Sequence, residues 1–201
     1  MPRTERQNQQ IRDERREQIL QAALKVFARR GLAATKMTDI SEEAGLSKGL
    51  AYHYFHSKEE IFTTLVKKAT ESSKLVLHYA KQQAGSPLEQ IHWMTRMILQ
   101  SIEGEGGYLF LTMIHAYTSD AVPEEVRELL TEEHTSSQVK ESALLISAGQ
   151  DQGEIVAGDP EKLAVAYYSL IEGLAISKLQ WEDCPIPDAE MILRIFKANQ
   201  A

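Results

Sequence analysis

Met37-Thr38-Asp39-Ile40-Ser41-Glu42-Glu43-Ala44-Gly45-Leu46-Ser47-Lys48-Gly49-Leu50-Ala51-Tyr52-His53-Tyr54-Phe55 is the stretch that decides the fold. Met37, Ile40 and Ala44 fall at three- and four-residue steps, one apolar face of a short helix. Gly45 interrupts it, Leu46 is apolar, and Ser47 can cap a second short helix that ends near Phe55. Two helices joined by so tight a turn must cross steeply, and a residue without Cβ permits that turn. In such a helix-turn-helix the second helix presents its first residues to base edges in a major groove. Here those residues are Ser47, Lys48, Gly49 and Leu50, and the N–H groups at the same helix start also favour a phosphate.

Working outward, Ile19, Ala22, Ala23, Val26 and Phe27 form one apolar stripe of a helix expected from Asp13 to Arg30, with Gly31 as its stop. Ser57 and Glu60 have the spacing of a capping box opening a fourth helix, with Ile61, Phe62, Leu65, Val66 and Ala69 inward and an end near Gln83. Ser86, Pro87 and Glu89 start a fifth, which carries Leu88, Ile91, Met94, Ile98 and Ile102. Tyr108 to Tyr117 is apolar almost all round and is expected to lie buried. After a turn at Asp120–Pro123, one long helix is expected to about Gly149. Asp159-Pro160 opens another to about Gln180, and Asp188 a last one to Asn199. No alternating strand pattern, repeat or low-complexity tract is visible. The expected fold is all-α with about nine helices: an N-terminal three-helix helix-turn-helix domain, then a larger helical bundle.

Composition agrees. The 201 residues are 43% apolar and 25% charged, ordinary for a chain with a real core. No apolar run approaches the ~18 residues of a membrane span, and the first residues lack an apolar signal segment, so a cytoplasmic, membrane-free protein is expected. The single cysteine, Cys184, excludes an internal disulfide framework. The net charge of −7 argues against nucleic acid until the chain is divided. Residues 1–60 hold 11 Lys/Arg against 9 Asp/Glu, while residues 61–201 hold 11 against 20. A mildly basic module joined to an acidic body fits domains at 1–60 (motif about 37–56) and 61–201, linked by the helix starting at Lys58.

The pattern Ile19-Leu20-x-Ala22-Ala23-x-x-x-Phe27-x-x-x-Gly31, Met37-x-Asp39-Ile40, Ala44 to Gly49, and Tyr52-His53-Tyr54-Phe55-x-Ser57-Lys58-Glu59 resembles the N-terminal domain of TetR/AcrR-type transcriptional repressors. The resemblance spans about residues 14–70. It implies that Ser47, Lys48 and Gly49 open the recognition helix, that Tyr52 and His53 touch the phosphate backbone, and that Lys58 anchors it. The family's usual Ser or Thr cap is replaced by Lys36, so the phosphate role there falls to Thr35, Thr38 or Lys36 itself. Leu50 replaces a common Thr at a groove-facing position, and Ala51 a common Leu in the motif's core. Asp159-Pro160-Glu161 through Glu172-Gly173-Leu174-Ala175 also resembles the family's eighth helix, which pairs subunits.

Other chemistry is thin. The histidines His53, His56, His78, His92, His115 and His134 show no compact ligand spacing, so no metal and no cofactor are expected. No nucleophile elbow or glycine-rich phosphate loop appears, so no enzyme is expected. Trp93, Met97, Tyr108, Phe110, Met113, Ile114, His115, Tyr117 and Tyr168 read singly as core residues first, and together they suit the lining of an adaptable cavity for a partly apolar effector; the resemblance places such a pocket among the fifth to eighth helices. Leu163, Ala166, Tyr167, Leu170, Gly173 and Leu174 are the expected homodimer surface, Gly173 allowing close approach. The expected function is a regulator, a repressor, that binds a palindromic DNA operator as a homodimer and is released by a small molecule. The rival reading is a helical ligand-binding or scaffold protein whose helix-turn-helix no longer reads DNA.

Overall fold

The computed structural model describes residues 5–181 and 183–198, with the side chains of Asn8 and residues 132–135 outside the description, His134 among them. The helices are α1 (Glu5–Ala34), α2 (Met37–Glu43), α3 (Lys48–Tyr54), α4 (Lys58–Lys81), α5 (Pro87–Glu103), α6 (Gly106–Thr118), α7 (Glu124–Leu129), α8 (Glu132–Asp151), α9 (Pro160–Gln180) and α10 (Ala189–Leu193). The only β pairing among the described residues is one isolated antiparallel bridge, Ile155 with Lys197. None of the described helices is long and apolar enough to cross a membrane.

Local signals place most boundaries. Ser86 Oγ accepts from Glu89 N–H while Glu89 returns a carboxylate to Ser86 N–H, a complete capping box. Asp159 accepts from the N–H groups of Glu161 and Lys162, and Pro160 takes the first helical position of α9. At α4 only half of the expected box forms. Glu60 N–H donates to Ser57 Oγ, but the Glu60 carboxylate takes the N–H of His56 instead of Ser57.

Four expectations need correction. First, α1 begins at Glu5, well before Asp13. Its added turns bury no stripe and are tied by side chains one turn apart, Gln9 to Asp13 and Gln10 to Glu14, so apolar periodicity carried no signal there. Second, the single long helix after Pro123 is two, which makes ten helices among the described residues and not nine. Thr131 is extended (φ −59, ψ 154) between α7 and α8 without a Gly or Pro to announce it. Third, α10 stops at Leu193 instead of Asn199. The chain then turns, and Val156 N–H donates to Phe196 O while Ala198 N–H donates to Glu154 O. Fourth, α6 is not buried all round: Thr112 and Ala116 are buried, Tyr108 to Leu111 and Met113 to His115 half-buried, and Tyr117 is 52% exposed.

The chain forms two compact units, with boundaries inside α4, inside α6 and at the end of α7. The first comprises residues up to Lys68 together with Leu111–Leu129. Ile19, Phe27, Ile40, Phe55, Ile61 and Phe62 are completely buried there, and Phe27 meets Phe62 edge to face at 5.1 Å. Such an aromatic pair adds about 0.5–1.5 kcal/mol to the burial of its area. The second unit comprises Ala69–Phe110 and the chain from Leu130 on. Its core gathers Ile91, Met94, Leu99 and Ile102 of α5, Leu145 and Ile146 of α8, Ala164, Tyr167, Ile171 and Ala175 of α9, and Ile192, Leu193 and Phe196.

Candidate nucleic-acid interface

The turn before α3 requires its glycine. Gly45 has φ +65, and a Cβ built there would meet no atom within 4 Å, so backbone conformation and not crowding excludes other residues. Ser47 caps α3, its Oγ accepting from Leu50 N–H at 3.2 Å. Ala51 and Phe55 are fully buried and seat the helix on the core. Ser47, Lys48, Gly49, Tyr52 and His53 are exposed, and Leu50 and Tyr54 are half-buried. The first turn of α3 therefore stands free, with small residues at its start and the Lys48 ammonium 5.8 Å from the Tyr52 ring centroid. His53 and Tyr54 meet edge to face.

The other expected contacts are placed differently from one another. Lys36 is exposed at the N-cap of α2, where Asp39 Oδ2 accepts from its backbone N–H at 2.8 Å, so Asp39 closes the helix start and leaves the Lys36 side chain free of capping. Thr38 is half-buried. Thr35 is 1% exposed and its hydroxyl donates to Gly31 O at 2.7 Å, an internal role. Lys58 points its ammonium at the end of α1, donating to Leu32 O at 2.8 Å, Ala33 O at 3.2 Å and Thr35 O at 2.7 Å. Arg29 and Arg30 are neutralised by Glu43 and Asp39, whereas neither Lys36 nor Lys48 has an ion pair among the described residues. Positive charge at this surface thus falls to Lys36 and Lys48.

Long side chains from neighbouring helices close the ends of the reading helices. Gln18 Nε2 donates to Ala44 O at the end of α2, and Arg16 Nη1 donates to Tyr54 O at the end of α3. Sequence reasoning missed Arg16, Gln18 and the target of Lys58, because each pairing joins residues far apart in the chain.

In the second unit a small cavity of about 20 Å³, room for a water-sized body, is lined by Leu88, Ile91 and Met94 of α5, Leu145 and Ile146 of α8, and Phe196 among others. Two hydroxyl pairs lie against it. Thr95 Oγ1 donates to Ile91 O at 2.8 Å, so in its 3.0 Å contact with Tyr167 the phenol is the donor. Ser142 Oγ and the Tyr168 hydroxyl are 2.7 Å apart. Burial pushes both phenols above the usual tyrosine range, keeping them neutral. None of the nine residues expected to hold an effector lines this cavity. Trp93, Phe110 and Tyr168 pack on the same core, and Met97 and Tyr108 are half-buried in the same unit. Met113, Ile114, His115 and Tyr117 belong to the first unit, where His115 Nε2 lies 3.3 Å from Ala28 O. The signal that could have found the cavity was aliphatic spacing on α5 and α8, not aromatic content.

Of the expected dimer residues, Ala166 and Gly173 are exposed, Leu163, Leu170 and Leu174 half-buried, and Tyr167 buried inside the protomer. The exposed large apolar residues Leu144 (69%) of α8 and Val165 (51%) of α9 also lie outside the core. Among the described residues no group of three or more His, Cys, Asp or Glu is placed to hold a metal ion.

The profile of "Bacterial regulatory proteins, tetR family" matches residues 19–65, which contain α2, α3 and the Gly45 turn. The chain is 26% identical over 190 residues to the HTH-type transcriptional regulator TtgR of Pseudomonas putida, covering 84% of this chain and 82% of that one. Its fold is similar to that of the ketosteroid transcriptional regulator KstR2 of Mycobacterium tuberculosis (TM-score 0.72, 21% identity, 92% of this chain and 96% of that one). It is also similar to that of AibR in complex with isovaleryl coenzyme A and operator DNA (TM-score 0.64, 19% identity, 90% and 94%). With the glycine turn, the capped and exposed start of α3 and the matched motif in one unit, residues 19–65 carry a helix-turn-helix similar to that of the tetR family of bacterial regulatory proteins.

Proposed function

We propose that this chain is a homodimeric, ligand-released repressor that acts on DNA in the cytoplasm and carries no catalytic activity. The observation that supports it most is the first turn of α3: exposed, capped by Ser47, and flanked by Lys36 and Lys48, whose charges have no ion pair among the described residues. Ser47, Lys48, Gly49 and Leu50 are the residues for base edges, and Lys36, Thr38, Tyr52 and His53 those for the flanking phosphates. Two such heads read a palindrome only when paired, and the apolar faces of α8 and α9 around Leu144, Val165, Ala166 and Gly173 are the proposed seam. The similar AibR structure holds both an acyl coenzyme A and operator DNA, which supports an effector-responsive reading.

The effector site proposed is the cavity walled by α5, α8 and α9, enlarged by the movement of lining side chains. Its walls are apolar and carry no charged group, so it suits an apolar or partly apolar small molecule. The effector acts only as far as it prefers the released state. Selection of bound fragments from genomic DNA tests the reading. An inverted repeat, protected by the protein and freed by an apolar effector, is the expected result. Binding of all fragments alike, and only at low salt, overturns it in favour of a helical scaffold that no longer reads DNA.

A further inference from the structure

Lys58 stands where the resemblance implies an anchor on phosphate, yet its ammonium is already occupied. An ammonium has three N–H donors and no acceptor. All three are matched here: Leu32 O at 2.8 Å, Thr35 O at 2.7 Å and Ala33 O at 3.2 Å. These carbonyls lie where α1 breaks at Gly31 (φ 70, ψ 172) and the chain turns into α2; Leu32 O also accepts from Thr35 N–H at 3.3 Å, while Ala33 O and Thr35 O are acceptors of a helix end that Lys58 satisfies. The side chain is only 23% exposed and its one carboxylate neighbour among the described residues, Glu59, is 4.0 Å away. A cation at the carbonyl end of a helix is favoured by the helix dipole, whereas at the start of its own helix, α4, it is not. The position therefore makes sense as a cap on α1 from outside and poorly as a free charge on α4.

We propose that Lys58 is a positioning residue of the reading head: it closes α1 and holds the α1–α2 junction, and it does not anchor DNA phosphate. To reach a phosphate the ammonium must give up its bonds to these carbonyls, including the part-buried Thr35 O. With Gln18 on the end of α2 and Arg16 on the end of α3, it completes a set in which each reading-head helix is closed by a side chain of another.

The inference rests on the DNA-binding reading for one of its two tests and not for the other. In the free protein, Lys58→Met keeps the aliphatic stem and removes the donors. Amide hydrogen exchange of residues 32–37 should quicken at least tenfold, and an unchanged exchange pattern overturns the cap. On DNA, binding of Lys58→Met and Lys58→Arg to the wild type's selected fragment is measured against salt, with the active fraction titrated first. A cap predicts that both variants lose roughly tenfold in specific affinity with an unchanged salt slope, because a planar guanidinium does not fit three converging carbonyls. An anchor predicts that Lys58→Arg binds as wild type and that the Lys58→Met slope is shallower by about 0.9, and either result overturns the proposal. If Lys58→Met fails to fold, Lys58→Arg alone still separates the two. A wild type that selects no fragment removes the regulator reading, and the exchange measurement then decides the cap by itself.

Discussion

Arg16 lies with its guanidinium carbon 4.1 Å from the ring centroid of Phe55, while its Nη1 donates to Tyr54 O at 3.2 Å. One side chain thus holds both the last carbonyl of α3 and the buried aromatic that follows it. Phe55 is fully buried, so the stack fixes the end of the recognition helix to α1. Arg16→Ala should lower stability by about 1–2 kcal/mol, from a partly desolvated cation–π contact and a charged hydrogen bond. Because Arg16 is far in sequence from the exposed start of α3, loss of specific over non-specific DNA affinity at full active fraction would show that it also orients the helix. Denaturant melts and paired binding curves measure both. Stability equal to wild type would remove the stack from the account.

Leu50 is the odd residue of the recognition helix. It is half-buried, its N–H is taken by Ser47 Oγ, and it carries no charge. The one apolar feature of the major groove is the thymine methyl. Leu50→Ala should weaken preference for thymine at one position per half-site by about 1 kcal/mol, with non-specific affinity unchanged. Selection on randomised operators with both proteins is the measurement, and identical preferences at every position would withdraw Leu50 from base reading.

What was legible in advance was local. The caps Ser47, Ser86, Asp159 and Asp188 each bond within a few residues of themselves, so their letters announce helix starts directly. Gly45 is equally local, since a positive φ needs only the residue itself. The misses have a common cause in the third dimension. Thr131 breaks a helix with neither Gly nor Pro, and the early turns of α1 have no apolar face to read. Lys58 sits 23–26 residues from the carbonyls it closes, so no spacing rule connects them. Thr35, a phosphate candidate by position in the motif, is buried because the kink at Gly31 turns its hydroxyl onto the end of α1. The cavity wall is aliphatic, and an aliphatic helix face looks the same whether it packs solidly or leaves a gap.

The ion pair of Lys68 with Glu17 gives a pH test of the first unit. Burial alone would raise the Glu17 carboxyl, but hydrogen bonds from Lys68 and Gln21, with the charge of Lys68, hold it below the ordinary carboxylate value. A depressed carboxyl pKa adds stability that is present above the unfolded value and lost as pH falls through the folded one. The pair is about half exposed, so its contribution is under about 1 kcal/mol. Lys68→Met should therefore be slightly less stable than wild type near neutral pH and equal to it well below the carboxylate range. Urea melts at the two pH values check this. A difference that persists in acid would trace to packing of the lysine stem instead.

Gly173 offers the cleanest test of the dimer seam. It is exposed on α9, in helical conformation, and a Cβ there would meet nothing within 4 Å, so a larger side chain costs the protomer no clash. Replacing a helix-interior glycine even gains about 0.5–1 kcal/mol of helix propensity. Gly173→Leu should fold at least as well as wild type, yet it adds bulk where two α9 helices are proposed to approach closely. Glu172 beside it supplies an independent signature. Partial burial already raises its carboxyl above the ordinary value, and a seam would remove further water from it. A pKa higher in the dimer than in the monomer means that the dimer binds protons more readily, so dimerisation should tighten as pH falls through the raised range. Sedimentation of wild type and Gly173→Leu across that range reads both effects. The expected outcome is a wild-type dimer that strengthens toward acid and a stable, monomeric variant with poor operator binding. A variant dimer as tight as wild type, with no pH dependence in either, would place the seam on another face.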